Sequence, residues 1–217
     1  MKKKWEKYKR FLKTGVWHIH TNYTDGKNSI FEYCKKAEEL GIPLIGFTEH
    51  IRKKIDYSFQ NLKKEIEEAK KRFSSKIILG CETKVLDEDG DLDASEKFFK
   101  KSEIVLGAFH GVIFENKESF LRALKNMIKN PYVDVWAHPG LFYLRQNFNL
   151  SKEEMDEITK LCAKNKVLME INLKYNLPEK KLLNQAKKNK VKFIFGLDAH
   201  SIKDLELLRK SIKKMKF

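Results

Sequence analysis

Residues 16–50 carry the pattern that decides the fold, VWHIHTNYTDGKNSIFEYCKKAEELGIPLIGFTEH. The apolar run Val16–His20 predicts a short buried strand. Ser29–Leu40 has the periodicity of an amphipathic helix, begins with a capping-box pattern and is followed by glycine and proline, which end helices. Leu44–Thr48 predicts a second strand. A strand, a helix and a strand in this order form the repeating unit of a parallel sheet.

The same alternation continues to the end of the chain. The further predicted strands are Lys76–Glu82, Ile104–Phe109, Val133–Ala137, Val167–Ile171 and Val191–Gly196. The further predicted helices are Ser58–Phe73, a short helix capped by Asp93 and ending near Lys101, Lys117–Lys129, Ser151–Asn165, Pro178–Asn189 with Pro178 at the first helical position, and Asp204–Lys214. Seven strand–helix units of about 31 residues predict an α/β fold, with a closed or nearly closed β/α barrel as the leading architecture. A doubly wound open sheet is the alternative, although the chain has neither a GxGxxG nor a Walker-type loop.

Composition predicts one domain, residues 1–217, with residues 1–14 as a basic N-terminal extension. The chain is 41% hydrophobic and has no interior linker rich in Gly, Ser or Pro. It has no apolar run of about 18 residues, so no membrane span is expected. The basic N-terminus lacks the apolar region of a secretory signal. Three distant cysteines, Cys34, Cys81 and Cys162, predict no disulfide framework and favour a reducing cytoplasm.

The net charge is +15, from 45 basic and 30 acidic residues. Such an excess is compatible with an anionic partner, so nucleic acid stays open as a partner beside small phosphorylated metabolites. The other interpretation is a solvated surface, because the lysines are spread along predicted helix faces rather than clustered. Charge alone therefore does not choose between them.

All six histidines lie at or shortly after the carboxyl ends of predicted strands. They are His18, His20, His50, His110, His138 and His200. Glu82 and Asp198 share this edge, and Asp25 lies in the loop after the first strand. In β/α barrels this edge gathers the catalytic residues. Nine nitrogen and oxygen ligands exceed what one ion needs, so the sequence predicts two or three metal ions. Each histidine taken alone could instead be a structural hydrogen-bonding residue.

Other chemistries have little support in the sequence. The acidic turn Asp87–Asp93 lacks the spacing and closing glutamate of an EF-hand, and it is predicted to be a solvated turn. No GxSxG elbow is present, and Cys81 lies on a strand, where it is expected to pack as a small apolar residue. A metal-bound hydroxide is therefore the expected nucleophile.

Six motifs, in this order along the chain, resemble those of the PHP (polymerase and histidinol phosphatase) family. The resemblance extends from His18 to about Leu208, and at Glu49 the family more often has aspartate. The motifs are His18-Ile19-His20 with Thr24-Asp25-Gly26, Thr48-Glu49-His50, Gly80-Cys81-Glu82, Gly107-Ala108-Phe109-His110, Ala137-His138-Pro139-Gly140 and Leu197-Asp198-Ala199-His200-Ser201. HxH alone is a weak signal, whereas the ordered set is specific.

The resemblance implies a distorted (β/α)7 TIM-like barrel with a trinuclear site of Zn, Mn or Fe ions at the carboxyl ends of the strands. By position, the first ion would be held by His18, His20, Glu82 and Asp198. The second would be held by the bridging Glu82 with His110 and His138, and the third by Asp25, His50 and His200. Mixed histidine and carboxylate ligands do not choose among these metals.

The expected activity is hydrolysis of phosphate esters, with Glu82, His110 and Asp198 acting through the metal-bound hydroxide. Arg52, Arg145 and Lys84 are candidates for phosphate binding, and each could instead be a surface charge. Tyr23, Phe142 and Tyr143 could line the mouth of the site or simply pack.

The leading hypothesis is a phosphomonoesterase for a small metabolite of the histidinol-phosphate or nucleotide type. The alternatives are a 3'-5' exonuclease or 3'-phosphatase acting on DNA or RNA ends, and a non-catalytic domain. The sequence does not indicate an oligomeric state.

Overall fold

The computed structural model of the chain describes residues 3–212, and side chains as far as Leu208. Its centre is a curled sheet of six parallel strands whose order in space equals their order in sequence. The strands are Leu44–Ile51 (β1), Lys76–Lys84 (β2), Ile104–Ala108 (β3), Val135–Trp136 (β4), Leu168–Asn172 (β5) and Phe193–Gly196 (β6). A doubly wound sheet reverses its strand order at a switch point, so this order excludes that alternative.

Helices connect the strands, as parallel pairing requires. They are Ile30–Glu39 (α1), Phe59–Arg72 (α2), Glu96–Lys101 (α3), Lys117–Lys129 (α4), Leu141–Arg145 (α5), Lys152–Asn165 (α6), Lys180–Lys188 (α7) and Leu205–Ile212 (α8). Two 3₁₀ helices span Lys4–Phe11 and Ile202–Asp204. Ser29 forms the predicted capping box with Glu32, and Ser151 forms another with Glu154, which fixes where α1 and α6 begin.

The predicted first strand, Val16–His20, is not a regular strand, so the described residues contain six strands rather than seven. The segment is nevertheless hydrogen-bonded on both sides. Towards β1, Val16 N donates to Leu44 O at 2.9 Å and Thr48 N donates to Ile19 O at 2.9 Å. In a regular parallel ladder that starts at Val16, Thr48 N would donate to the carbonyl oxygen of residue 18 instead of that of Ile19. One extra residue in the segment therefore interrupts this ladder in the manner of a β-bulge.

Towards β6 the irregularity lies on the other chain. Trp17 N donates to Phe195 O at 3.0 Å, and His20 N donates to Ala199 O at 2.9 Å. The chain on the β6 side thus advances by four residues, from Phe195 to Ala199, while the segment advances by three, from Trp17 to His20. The extra residue falls where Asp198 has the left-handed φ of +46°. Bulges of this kind turn side chains towards a site.

The N-terminal residues are part of the packed structure rather than a free extension. The 3₁₀ helix Lys4–Phe11 buries Trp5 and Tyr8 among the apolar side chains inside the curled sheet. Lys3 Nζ donates to the carbonyl oxygen of Val133 at 2.5 Å, and Lys4 Nζ donates to that of Ser102 at 2.7 Å. Because both carbonyls precede strands, this helix covers the amino-terminal end of the sheet.

Several predicted boundaries move. Pro178 is not the first residue of α7, which begins at Lys180 after the N-cap Glu179. Ser95 rather than Asp93 precedes α3. The predicted helix Asp204–Lys214 is a 3₁₀ turn followed by α8, and its predicted end lies outside the described residues. The five-residue α5 was not predicted, because so short a helix after a glycine leaves no periodic pattern.

The three cysteines are buried and free, which confirms the expectation of no disulfide framework. Within residues 3–212, no helix has both the length and the apolar character needed to cross a bilayer.

Candidate metal centre

The structure brings all nine predicted ligand residues to the carboxyl edge of the sheet. His50 and Glu82 are paired neighbours on β1 and β2, so their Cα atoms lie side by side. His110 and His138 each come two residues after a strand ends, on β3 and β4. The two bulged segments supply the remaining members apart from Asp25, namely His18, His20, Asp198 and His200.

Asp25 is carried by a tight loop that folds back on the first histidine segment. Gly26 N donates to Thr21 O at 2.9 Å, and a Cβ at position 26 would lie 2.2 Å from His20 O. Only glycine fits this approach. The buried Glu49 carboxylate accepts from Thr21 N at 2.9 Å and from the Thr24 hydroxyl at 2.5 Å. These bonds fix the loop on β1, so Asp25 is held over the site.

Glu82 lies at the centre of the cluster and is completely buried. Its Oε1 is 3.0 Å from His110 Nε2, 3.1 Å from His138 Nε2 and 3.4 Å from His18 Nε2. Its Oε2 is 2.9 Å from His50 Nδ1 and 3.6 Å from His20 Nε2. Burial alone would raise its pKa, but His110 and His18 hold the pKa of Glu82 well below its usual range. The carboxylate is therefore ionised and faces five imidazoles.

Two further carboxylates, those of Asp198 and Asp25, lie beside the histidines of the cluster. Asp198 Oδ1 lies 3.2 Å from His20 Nε2, 3.6 Å from His18 Nε2 and 3.8 Å from His200 Nδ1. Asp25 Oδ2 lies 3.2 Å from both His50 Nε2 and His200 Nε2. Asp25 is about half exposed, whereas Asp198 is almost completely buried, so the cluster opens to solvent on the Asp25 side.

Two buried atoms test whether the cluster fits metal ions. His20 Nδ1 and Glu82 Oε2 make no hydrogen bond among the described residues, although His50 lies close to Glu82 Oε2. The Nε2 atoms of His18 and His20 face each other at 3.1 Å, where two N–H groups would collide. Burial lowers the pKa of His20 to about 4, so the ring is neutral near neutral pH and one of its two nitrogens offers a lone pair. Lone pairs that converge on ionised carboxylates fit divalent cations.

Among the residues that the structure describes, three groups of side chains have ligand atoms within 4.8 Å of one another. They are His18 with His20 and Asp198, His20 with His50 and His200, and Glu82 with His50 and His110. The first group matches three of the four residues predicted for one ion. The other two groups divide the residues differently from the expected second and third sites, so that division stays a prediction.

The three predicted phosphate-binding residues do not lie together. Arg52 Nε and Lys84 Nζ lie 3.8 Å and 3.7 Å from the same Asp93 oxygen, and both side chains are partly exposed. Arg52 also approaches His50 Nδ1 to 3.4 Å, which puts this pair of cations at the rim of the cluster. Arg145 is an exposed residue at the end of α5.

The aromatic residues considered for the mouth are engaged elsewhere. Tyr23 donates its hydroxyl to Glu65 at 2.8 Å. Phe142 stacks on Phe120 with ring centroids 5.1 Å apart, and Tyr143 is only 1% exposed. Of the two alternatives for Phe142 and Tyr143, packing is therefore the one observed.

Sequence reasoning missed three residues that contact the cluster. Tyr175 donates its hydroxyl to Asp198 Oδ2 at 2.8 Å, and Lys174 Nζ donates to Asp198 O at 3.0 Å. Glu170, completely buried on β5, lies 2.8 Å from His18 Nδ1. For Glu170, the only signal in the sequence was that a charged residue lies inside an otherwise apolar predicted strand.

The chain is similar in sequence to a known domain family and to proteins named as probable phosphatases. The PHP domain family model matches residues 17–174. A probable phosphatase of Thermoanaerobacter sp. strain X514 is 30% identical over 215 residues, covering 92% of this chain and 84% of the relative. A probable phosphatase of Acetivibrio thermocellus is 28% identical over 197 residues, covering 84% of this chain and 78% of the relative.

Two solved structures share the fold at low identity. The putative histidinol phosphatase of Listeria monocytogenes superposes with a TM-score of 0.69 at 17% identity, covering 89% of this chain and 97% of that one. A chain in the structure of archaeal ribonuclease P with mature tRNA superposes with a TM-score of 0.59 at 18% identity, covering 92% of this chain and 82% of that one. Since the family model matches most of the sequence and the Thermoanaerobacter relative matches nearly all of it, the chain belongs to the PHP family.

Proposed function

We propose that this protein is a metal-dependent phosphatase that hydrolyses phosphate monoesters of small metabolites, of the histidinol-phosphate or nucleotide type. The observation that carries the proposal is Glu82, a buried ionised carboxylate with five histidine nitrogens within 3.6 Å. The relatives named as probable phosphatases support the same activity. The site lies at the carboxyl ends of the strands, where β/α enzymes carry their chemistry.

Two or three Zn, Mn or Fe ions are the proposed cofactors. The residues that would hold them are His18, His20, Asp25, His50, Glu82, His110, His138, Asp198 and His200. When bound, such ions supply Lewis acidity and a water-derived nucleophile near neutral pH.

The chain's own residues position the substrate and the ions. Glu82, His110 and Asp198 are the proposed catalytic group, and His110 is the most open of the three, at 31% side-chain exposure. Arg52 and Lys84, which share Asp93, are placed to bind non-reacting phosphoryl oxygens, because each is a partly exposed cation beside the cluster. Arg145 is an exposed cation whose charge acts on Tyr175, the partner of Asp198, so it is the third candidate for binding the substrate.

We also infer that Val16–His20 acts as the seventh strand of a (β/α)7 barrel. Its hydrogen bonds to both β1 and the end of β6 support this role. A cytoplasmic location belongs to the same proposal, since three buried thiols suit a reducing compartment.

The test is hydrolysis of p-nitrophenyl phosphate, histidinol phosphate and nucleoside monophosphates by protein whose metal content has been measured. Turnover is expected with two or three ions per chain, and His110→Ala should lose most of it. Lys7→Ala, an exposed change at the other end of the sheet, is the matched control. Metal-loaded protein without any monoester turnover would contradict the proposal. Turnover of bis-p-nitrophenyl phosphate alone would support action on nucleic acid ends instead.

A further inference from the structure

Glu170 is a buried carboxylate outside the nine proposed ligands, and it joins two segments that carry ligands. Its Oε1 lies 2.8 Å from His18 Nδ1, on the side of the ring opposite the cluster. Its Oε2 accepts from the backbone N–H of His138, a residue with the left-handed φ of +28°. Asn172 Nδ2 donates to Oε1 at 3.3 Å. Glu170, His18 and Asn172 are all completely buried, so no water competes for these bonds.

Both oxygens of Glu170 accept hydrogen bonds, Oε2 from His138 N–H and Oε1 from Asn172 Nδ2, so His18 Nδ1 is the donor in its contact with Oε1. In the neutral ring, the form that binds a metal ion, Nε2 then carries the lone pair, and this atom lies 3.4 Å from Glu82 and 3.6 Å from Asp198. We propose that Glu170 is a positioning residue that fixes the ring tautomer of His18 and the backbone of His138 for metal binding. This inference rests on the proposed metal-dependent function.

Gly196 provides independent support, because it leaves the space that the carboxylate fills. A Cβ at position 196, on the neighbouring strand β6, would lie 1.6 Å from Glu170 Oε1 and 2.5 Å from Glu170 Cδ. Any side chain there would displace the carboxylate from His18. The sheet thus carries a glycine at the one place where Glu170 must fit.

Glu170→Gln separates positioning from packing, because the two side chains have the same shape. Glutamine has only one acceptor oxygen, whereas His138 N–H donates to one oxygen of Glu170 and Asn172 Nδ2 donates to the other. The bond from His138 is the shorter of the two, so the oxygen is expected to face His138. The amide NH₂ then faces His18 Nδ1, which must accept, and the ring proton moves to Nε2. A protonated Nε2 cannot bind a metal ion. Loss of such an outer partner typically weakens metal binding by about 10- to 100-fold.

The experiment titrates metal-free protein with Zn²⁺ in competition with a chromophoric chelator. For Glu170→Gln we expect at least one site to be weakened by about 10- to 100-fold, while the metal-free protein keeps its circular dichroism spectrum. Gly196→Ala should weaken the same site without altering any polar group. Gly46→Ala is the matched control, because a Cβ at that strand position meets nothing closer than 3.3 Å. It should bind Zn²⁺ as the wild type does.

A second readout follows the proton itself. In Zn²⁺-loaded wild-type protein, ¹⁵N-labelled His18 should show a protonated Nδ1, and this signal should be lost in Glu170→Gln. Equal Zn²⁺ affinities and unchanged His18 signals in wild type and Glu170→Gln would overturn the role of Glu170 alone. Wild-type protein that binds no Zn²⁺ would overturn the proposed function, and the positioning role with it.

Discussion

Glu82 is the residue on which most of the cluster depends, since each of its oxygens lies close to histidine nitrogens. Glu82→Gln keeps the shape of the side chain but removes the charge that the surrounding histidines and metal ions require. We expect the variant to lose at least one ion per chain and more than about 100-fold in kcat/KM, beyond the effect of removing an outer partner. Elemental analysis and p-nitrophenyl phosphate hydrolysis measure both effects.

The matched control for that variant is Glu103→Gln, at the amino-terminal end of β3. Glu103 also accepts several hydrogen bonds, from Tyr8, Lys70 and the backbone of Leu79. It does not contact the cluster, so metal content and turnover should stay at the wild-type level. A Glu82→Gln variant with full metal content and full turnover would contradict the central place of this carboxylate.

Asp134 offers a test of stability away from the metal centre. The side chain is 2% exposed and accepts from Val105 N at 3.1 Å, and burial raises its pKa to about 6. In the unfolded chain the pKa is about 4, so between these values the folded state binds more protons. Stability from this group is complete below about pH 4 and is lost as the pH rises through about 6, by about 3 kcal/mol at most.

Asp134→Asn keeps an acceptor for Val105 N–H and removes the titration. As the pH rises from 4 to 8, the free energy of unfolding of the variant should therefore increase by about 2–3 kcal/mol relative to that of the wild type. Urea unfolding in the presence of a chelator measures the difference without metal binding. Glu157→Gln, at an exposed carboxylate, is the control and should show no such change. Parallel pH profiles for wild type and Asp134→Asn would refute the assignment.

The positions of the nine cluster residues could be predicted from the sequence, because histidines at strand ends in a fixed order form a specific pattern. All nine lie at the predicted edge, and their proposed role as ligands stays a prediction. Glu170 and Tyr175 were out of reach. Both act through long-range contacts, Glu170 to His18 and His138 and Tyr175 to Asp198, and a single residue in a strand or loop has no spacing that indicates such a partner.

Among the elements, the regular helices and strands followed their periodicity, whereas the irregular segments did not. Val16–His20 has the composition of a strand, but its hydrogen bonds are divided between two neighbours and broken by bulges. A bulge depends on the register with the partner strands, which local sequence does not contain. For the 3₁₀ helix Lys4–Phe11 the sequence predicts only an extension, because its four basic residues outnumber its three aromatic residues.

Trp5 is expected to anchor that 3₁₀ helix. Its side chain is 2% exposed, and its indole N–H donates to Lys166 O at 2.9 Å. Trp5→Ala should lower the free energy of unfolding by about 3–5 kcal/mol, the usual cost of emptying a large aromatic site. Denaturant unfolding measures this loss. Because the helix covers the end of the sheet opposite the histidines, metal content per folded chain should not change.

Lys7→Ala serves as the control for Trp5→Ala, since Lys7 is exposed on the same helix. Its effect should stay within about 0.5 kcal/mol. If Trp5→Ala were as stable as Lys7→Ala, the N-terminal helix would not belong to the core. The packing of Trp5 and Tyr8 against the inside of the sheet would then contribute nothing to the free energy of unfolding.

For the whole molecule, the net charge of +15 leaves open whether the substrate is a small phosphate ester or a polymer. Several of the described lysines are paired with acidic side chains, on another helix or one turn away on the same helix. Examples are Lys36 with Glu206, Lys117 with Glu154 and Lys160 with Asp156. These pairs neutralise part of the basic charge on the helices, which favours a solvated surface at those positions.

Salt dependence therefore distinguishes the two classes of substrate. A small monoester contacts few cations, so its kcat/KM should fall by less than about 5-fold between 50 and 200 mM NaCl, because few counterions are released. A protein that neutralises six to ten phosphates loses about 10³- to 10⁵-fold over the same range. The measurement compares p-nitrophenyl phosphate with a single-stranded oligonucleotide bearing a 3'-phosphate, at constant metal content.

A weak dependence of kcat/KM on salt for both substrates would mean that the enzyme recognises only the terminal phosphate, as the Arg52–Lys84 rim requires. A steep slope for the oligonucleotide with a higher kcat/KM at low salt would contradict the small-metabolite proposal, because the dispersed lysines would then act together on a polymer.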